Sequence, residues 1–240
     1  MEDDFEGDRL DPRLWLPYYL PHWSSRDASR ARYSIRGDTL RLRIDADQPP
    51  WCPEYDGWLR VSSLQTALHP GQHRFRPDLV VRENQAPLTL FAQLYGRFEV
   101  RARAIANPAN MVSFWMIGLE EEPHRSGEIC VFEIFGRDVA PDAVTVGLGL
   151  HPFGDPGLRD EFARVNLNLD ATDFHVYAVD WNAAGLTFQV DGKVVTSSEQ
   201  SPDYPMQLML GVYEFADGPQ LAMGPYPKEF VVDWVRVSET

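Results

Sequence analysis

The apolar residues of this 240-residue chain recur at every second position in one segment after another. A period of two admits β-strands and excludes amphipathic helices. Residues 39–44 alternate apolar and polar as a half-buried strand does. Residues 95–103 do the same and set Arg97, Glu99, Arg101 and Arg103 along one face. Residues 174–181 are followed by a turn at 182–185, a second run at 186–190, a tight Asp191-Gly192 turn and a third run at 193–195. Strand, turn, strand, Asp-Gly, strand is a hairpin signature. Residues 206–212 and 230–237 are further apolar runs rich in strand formers. No long stretch places apolar residues at helical spacing behind a capping residue. About a dozen short strands without intervening helices predict an all-β sandwich or barrel of antiparallel sheets.

Composition narrows the partners. The chain carries 36 acidic residues against 22 Lys and Arg, a formal net charge of −14. Nucleic acid and anionic membrane surfaces repel such a chain, so neither is expected as a partner. No run approaches the roughly 18 apolar residues of a membrane span. The acidic start, Met1-Glu2-Asp3-Asp4-Phe5, has no secretory character. Cytoplasmic residence, or secretion with a leader removed, is therefore expected. Neither a composition break nor an internal repeat divides the chain, so residues 1–240 are read as one domain, and a monomer is expected. Cys52 and Cys130 cannot build a disulfide framework, and a single bridge between them is not deducible.

The segment richest in chemistry is Gly127-Glu128-Ile129-Cys130-Val131-Phe132-Glu133-Ile134-Phe135-Gly136. It is an apolar strand holding two carboxylates, and burying an uncompensated charge costs several kcal/mol. By alternation Glu128 and Cys130 share one face and Glu133 takes the other. One extra residue near Val131-Phe132, a β-bulge, returns Glu133 to the first face. The span is then about four strand steps, roughly 13 Å between Cα atoms. If each side chain leans inward by roughly 3.5–4 Å, the carboxyl groups sit on the order of 5–6 Å apart. That is close to the ~5–5.5 Å separation of a retaining glycosidase. The alternative is an edge strand with two solvated glutamates.

A central motif and six flanking segments, in order along the chain, resemble glycoside hydrolase family 16, the laminarinase, lichenase and agarase group. The bulged family signature Glu-x-Asp-x-x-Glu reads here Glu128-Ile129-Cys130-Val131-Phe132-Glu133. Asp3-Asp4-Phe5-Glu6-Gly7, Tyr95-Gly96-Arg97-Phe98-Glu99 and Ser113-Phe114-Trp115-Met116-Ile117-Gly118 resemble its flanking segments. Phe174-His175-Val176-Tyr177 through Trp181, Val190-Asp191-Gly192 and Val232-Asp233-Trp234 complete the set. The resemblance implies a concanavalin-like jelly-roll sandwich with a sugar cleft on its concave face. It implies Glu128 as nucleophile, Glu133 as general acid/base, and Trp115 as the ring beneath a sugar. His151, Arg97 and Trp51 are expected to contact substrate, with Trp23 and Trp58 as further candidates; the alternative is a surface turn for His151 and surface or core packing for each of the others. His175 and Trp181 are read as core.

One departure stands at the centre of the motif. Where the family has Asp between the glutamates, this chain has Cys130. A thiol is a weak donor with a pKa near 8.5, raised further by adjacent carboxylates. Cys130 should therefore be neutral and tune its neighbours poorly, which predicts reduced activity. The resemblance further implies no cofactor for catalysis, but a structural Ca²⁺ held by the carbonyls of Asp4 and Gly37 and the carboxylate of Asp233. Two functions follow. One is a retaining, endo-acting hydrolase of a β-1,3- or mixed-linkage glucan. The other is a lectin-like sandwich that binds polysaccharide without efficient chemistry. A purely structural sandwich leaves the two carboxylates unexplained.

Overall fold

The computed structural model describes residues 1–215 and 224–239. Among these residues two antiparallel sheets of eight and seven strands are packed face to face. The first runs, edge to edge, through Lys193–Ser198, Gly185–Val190, His175–Asn182, Gly96–Arg103, Lys228–Ser238, Leu40–Ile44 and Arg32–Ile35, with Glu2–Asp3 also paired to Lys228–Ser238. The second runs through Val139–Ala140, Ala143–His151, Glu128–Phe135, Asn110–Gly118, Met206–Glu214 and Arg60–Gln65, with Glu161–Leu167 also paired to Ala143–His151. This is the all-β antiparallel sandwich expected from the period-two pattern, and the jelly roll that the family resemblance implies. The α-helix described is the four-residue Pro53–Asp56, and no described helix is long and apolar enough to cross a membrane.

The two sheets obey different burial rules. In the first, Gly96–Arg103 alternates without a break: Phe98, Val100 and Ala102 face the core. The outward positions carry charges matched across strands, Arg97 with Asp180, Arg101 with Asp233 and Arg41 with Glu229. In the second, Asn110–Gly118 and Met206–Glu214 are buried at every position. One face, with Val112, Phe114, Met116, Leu208, Leu210 and Val212, packs on the first sheet. Phe132 anchors that core, with its ring 4.3 Å from Tyr177 and 6.2 Å from Phe230. The opposite face carries Met111, Trp115, Ile117, Met209 and Tyr213. Loops cover it with a second hydrophobic cluster built on Leu20, Trp23, Trp51 and Leu79. Burying each large apolar side chain there is worth about 1.5–3 kcal/mol, so these loops are fixed rather than draped.

The bulge lies where the alternation demanded one. Phe114 pairs with Phe132 and Trp115 with Cys130, so Val131 is the extra residue. On the other side Gly147 pairs with Glu133 and Gly149 with Cys130. Val131 and Phe132 both enter the main core. Glu128, Cys130 and Glu133 consequently share the loop-covered face.

Candidate active site

A cavity of about 260 Å³ opens on that face, with Glu128, Cys130 and Glu133 in its floor. Trp115 and Ser113 enter from the adjoining strand, Tyr213 from the next, Asp56 from the short Pro53–Asp56 helix, and Tyr19, His73 and Phe75 from the loops. On the other side of the glutamates the neighbouring strand offers glycines. A side chain at Gly147 would strike the ring of Phe162, and Gly149 holds a φ of +141° that L residues avoid. Glycine thus stands beside Glu133 and Cys130, where the Phe162 ring packs in place of a side chain at Gly147.

The electrostatics of the floor are dominated by burial. The Glu128 side chain is 13% exposed. Burial, then the charge of Glu133, pushes its carboxyl up to about 8. Burial also raises Glu133, against the pull of Arg164 and Arg137. Between them the Cys130 thiol is held well above its ordinary range by burial and by both carboxylates. It is neutral, as its place in the motif predicts. Two carboxyls in one cavity, one neutral thiol between them and an indole beside them can pass a proton and stabilise a developing positive charge. Trp115 is fixed by a hydrogen bond from Nε1 to the Tyr213 hydroxyl, 3.3 Å.

Residues 66–236 match the model of the glycosyl hydrolases family 16. The chain belongs to that family. It is 29% identical over 167 residues to a β-glucanase of Rhodothermus marinus, a match covering 60% of this chain and 57% of the relative. Among solved structures it is similar to the GlcNAcα1-4Gal-releasing endo-β-galactosidase of Clostridium perfringens. There the identity is 28%, the TM-score 0.88, and the match covers 99% of this chain and 61% of the other. The laminarinase catalytic domain of Thermotoga petrophila superposes with a TM-score of 0.69 at 17% identity, covering 99% and 95%. The family 16 chain thus spans about three fifths of the length of the first two proteins.

The family 16 fold gathers some of the expected residues and separates others. Glu128, Cys130, Glu133 and Trp115 converge on the cavity. His151 is the cross-strand partner of Glu128 but stands at the margin. Its ring stacks on Phe162 at 4.7 Å, with Nδ1 3.5 Å from Asp160. Arg97 is not a cleft residue. It lies on the outer face of the first sheet, its Nη1 donating to Asp180 at 3.0 Å and its Nε paired with Glu99. Strand alternation separates the two faces of that strand but does not say which sheet bears the cleft. Trp51 does not reach substrate either: it is 0% exposed. It lies under the cavity wall, its ring 4.7 Å from Tyr19 and its Nε1 donating to Asp56 at 2.9 Å. Trp23 is buried beside it, and Trp58 is exposed away from the cavity lining. Trp181 is core, whereas His175 holds the Asp-Gly hairpin through Asp191. Cys52 and Cys130 are both free and buried.

At the expected Ca²⁺ position, the register of the first sheet brings Asp4, the 36–39 turn holding Gly37, and Asp233 towards a bulge in Lys228–Ser238. The Asp233 carboxylate there accepts from Arg101 and that of Asp4 from Arg236. The cavity residues that sequence reasoning missed include Tyr19, Asp56, His73, Phe75 and Tyr213. Tyr213 lies at the end of an apolar run and could have been found by its phase with Gly211. The others come from aperiodic loops and the single-turn Pro53–Asp56 helix, which leave no such signal.

Proposed function

We propose that this chain is a retaining, endo-acting glycoside hydrolase of a β-linked polysaccharide, a β-1,3- or mixed-linkage glucan by default. The observation that carries the reading is the single extra residue that returns Glu133 to the face of Glu128, inside one cavity with Trp115. In the first step Glu133 gives its proton to the glycosidic oxygen as the bond to the anomeric carbon breaks. A carboxylate oxygen of Glu128 bonds that carbon and forms a glycosyl ester. Water then attacks the same carbon, Glu133 takes its proton, and the ester bond breaks to restore the Glu128 carboxylate. Trp115 presents an apolar face to the C–H face of the sugar ring.

The curated relative's name, β-glucanase, supports a glucan. A galactoside is the second reading, favoured by the TM-score of 0.88 over 99% of the chain against the endo-β-galactosidase. Lectin-like binding without turnover remains the reading that Cys130 favours. A reducing-sugar assay on laminarin, lichenan and GlcNAcα1-4Gal-terminated glycans, paired with binding on the same panel, separates the three. Hydrolysis of either glucan supports the first, hydrolysis of the galactoside arm alone the second, and binding without hydrolysis the third.

A structural Ca²⁺ at Asp4, Gly37 and Asp233 belongs to the same proposal. Oxygen ligands completed by water suit the ion, but Arg101 competes for the Asp233 carboxylate. Millimolar Ca²⁺ should raise the melting temperature and EDTA should reverse the gain. An unchanged melting curve would mean that Arg101 fills the role.

A further inference from the structure

We propose that His73 is a positioning residue for Glu128, its Nδ1–H hydrogen-bonding the Glu128 carboxylate and holding it aimed into the cavity as the ester-forming group. The inference rests on the retaining mechanism proposed above. Among the described residues, His73 is the one basic side chain within 4.0 Å of Glu128, Nδ1 to Oε2. Its side chain is 8% exposed, and Nδ1 is buried with no hydrogen-bond partner. A buried donor without a partner is costly, and native proteins seldom tolerate one. A full hydrogen bond needs an approach of about 1 Å, and catalytic hydrogen bonds often tighten only when substrate binds.

The surrounding structure is built to hold this imidazole in place. The backbone at His73 is in the left-handed region, φ 55°. The carbonyl just before it, of Gln72, accepts from His22 Nε2 at 3.0 Å and from Trp23 Nε1 at 3.1 Å. The His73 N–H donates to the Glu120 carboxylate, which enters from the loop after Asn110–Gly118. The ring lies 5.0 Å from Trp115 and 4.6 Å from Phe153. Anchored at both ends of the peptide that precedes it and packed among the rings of Trp115, Phe153 and Phe75, His73 has little freedom except to turn toward Glu128. Cys130 cannot substitute for it, because a thiol is a weak donor. Burial also keeps the imidazole neutral, with a pKa lowered to about 3, so it donates without adding charge.

Two substitutions separate positioning from packing. His73→Phe keeps the ring contacts and removes the donor. His73→Asn loses the ring and sets an amide N–H near the place of Nδ1. On whichever of laminarin, lichenan or the galactoside arm the wild type hydrolyses, His73→Phe should lower kcat by about 10- to 100-fold with little change in KM. That is the scale of one hydrogen bond to a charged group. His73→Asn should recover to within about five-fold of wild type. The reverse order, an active Phe variant and a dead but folded Asn variant, overturns the proposal. If either variant fails to fold, or the wild type hydrolyses nothing, ¹⁵N NMR of the wild-type imidazole decides. A proton on His73 Nδ1 whose shift moves on Glu128→Gln supports the contact. An unprotonated or insensitive Nδ1 overturns it. Loss of turnover on the whole panel, with the NMR contact intact, would count against the hydrolase reading alone.

Discussion

Before substrate binds, Glu128 carries a proton over a pH range in which a solvated glutamate is ionised, because the cavity buries it beside a second carboxyl, and the ester-forming species is its ionised form, the one a hydrogen bond from His73 would favour. The consequence for stability has a definite sign. A carboxyl raised from about 4.3 in the unfolded chain to about 8 in the fold binds more protons when native. Its contribution to stability is full below the unfolded pKa and is lost as pH rises toward 8. Glu128→Gln removes that dependence. The variant should melt higher than wild type at pH 8, with the gap shrinking toward pH 4.5, as read by thermal denaturation across that range. An unchanged gap would place the shifted proton elsewhere. Cys130 belongs to the same scale. It stands on the cavity floor between the acids and is 3% exposed. Cys130→Asp should raise the rate on the true substrate by one or two orders of magnitude, the usual scale for a positioned acid/base partner. It should also lower the melting temperature, because a third carboxyl joins a buried pair. A folded Asp variant that is no faster would mean that His73 already does the work.

At the level of the strand, the decisive feature is Val131. The bulge was legible before any coordinates because only one extra residue lets both glutamates avoid the core of an apolar strand. Deleting Val131 should leave Glu133 on the cavity face, because Glu128, Cys130 and Glu133 then alternate strictly, while the core loses the Val131 side chain. Losing one buried valine should cost about 1.5–3 kcal/mol, a fall in melting temperature on the order of 5–10 °C for a domain of this size. Circular dichroism melting would show it, and outright loss of the fold, as expected if the deletion drove Glu133 into the core, would contradict the register. The hairpins ending at Asp191-Gly192 and the closing strand were equally legible, since alternation and turn chemistry are local. Arg97 was misplaced for a physical reason. Alternation assigns residues to two faces of a strand, but whether a face meets solvent, cleft or a second sheet is decided by topology. The charged row of Arg97, Glu99 and Arg101 is an outer ladder, and nothing local distinguishes it from a polar cleft.

Across the whole molecule, the second sheet is covered on both faces, which removes alternation from its burial pattern. The second hydrophobic cluster occupies part of the loop-covered face and leaves a bounded cavity. Trp51 explains how sequence reasoning went astray here. A tryptophan in a Pro-rich segment reads as a sugar platform, yet it is the packing that shapes the wall, through Tyr19 and Asp56. The loop of residues 69–87, pinned at its neck by the Ala67–Leu68 and Leu88–Thr89 pair, brings His73 and Phe75 over the acids. Its position depends on contacts with residues 20–23 and 120, so no periodicity could have revealed it. The wall it forms predicts that Trp115→Ala weakens binding of a long glycan chain by about 1–2 kcal/mol, roughly ten-fold in KM. Equal KM values in steady-state kinetics would move the sugar platform away from Trp115.

The central claim is that Glu128 forms the covalent ester and Glu133 moves the proton. The most direct measurement is peptide mapping by mass spectrometry after reaction with an activated 2-deoxy-2-fluoro glycoside of the sugar that the chain cleaves. The prediction is one glycosyl adduct on the peptide containing Glu128, formed also in Glu133→Gln and absent from Glu128→Gln. An adduct on Glu133, or hydrolysis that continues with no adduct at all, would contradict it.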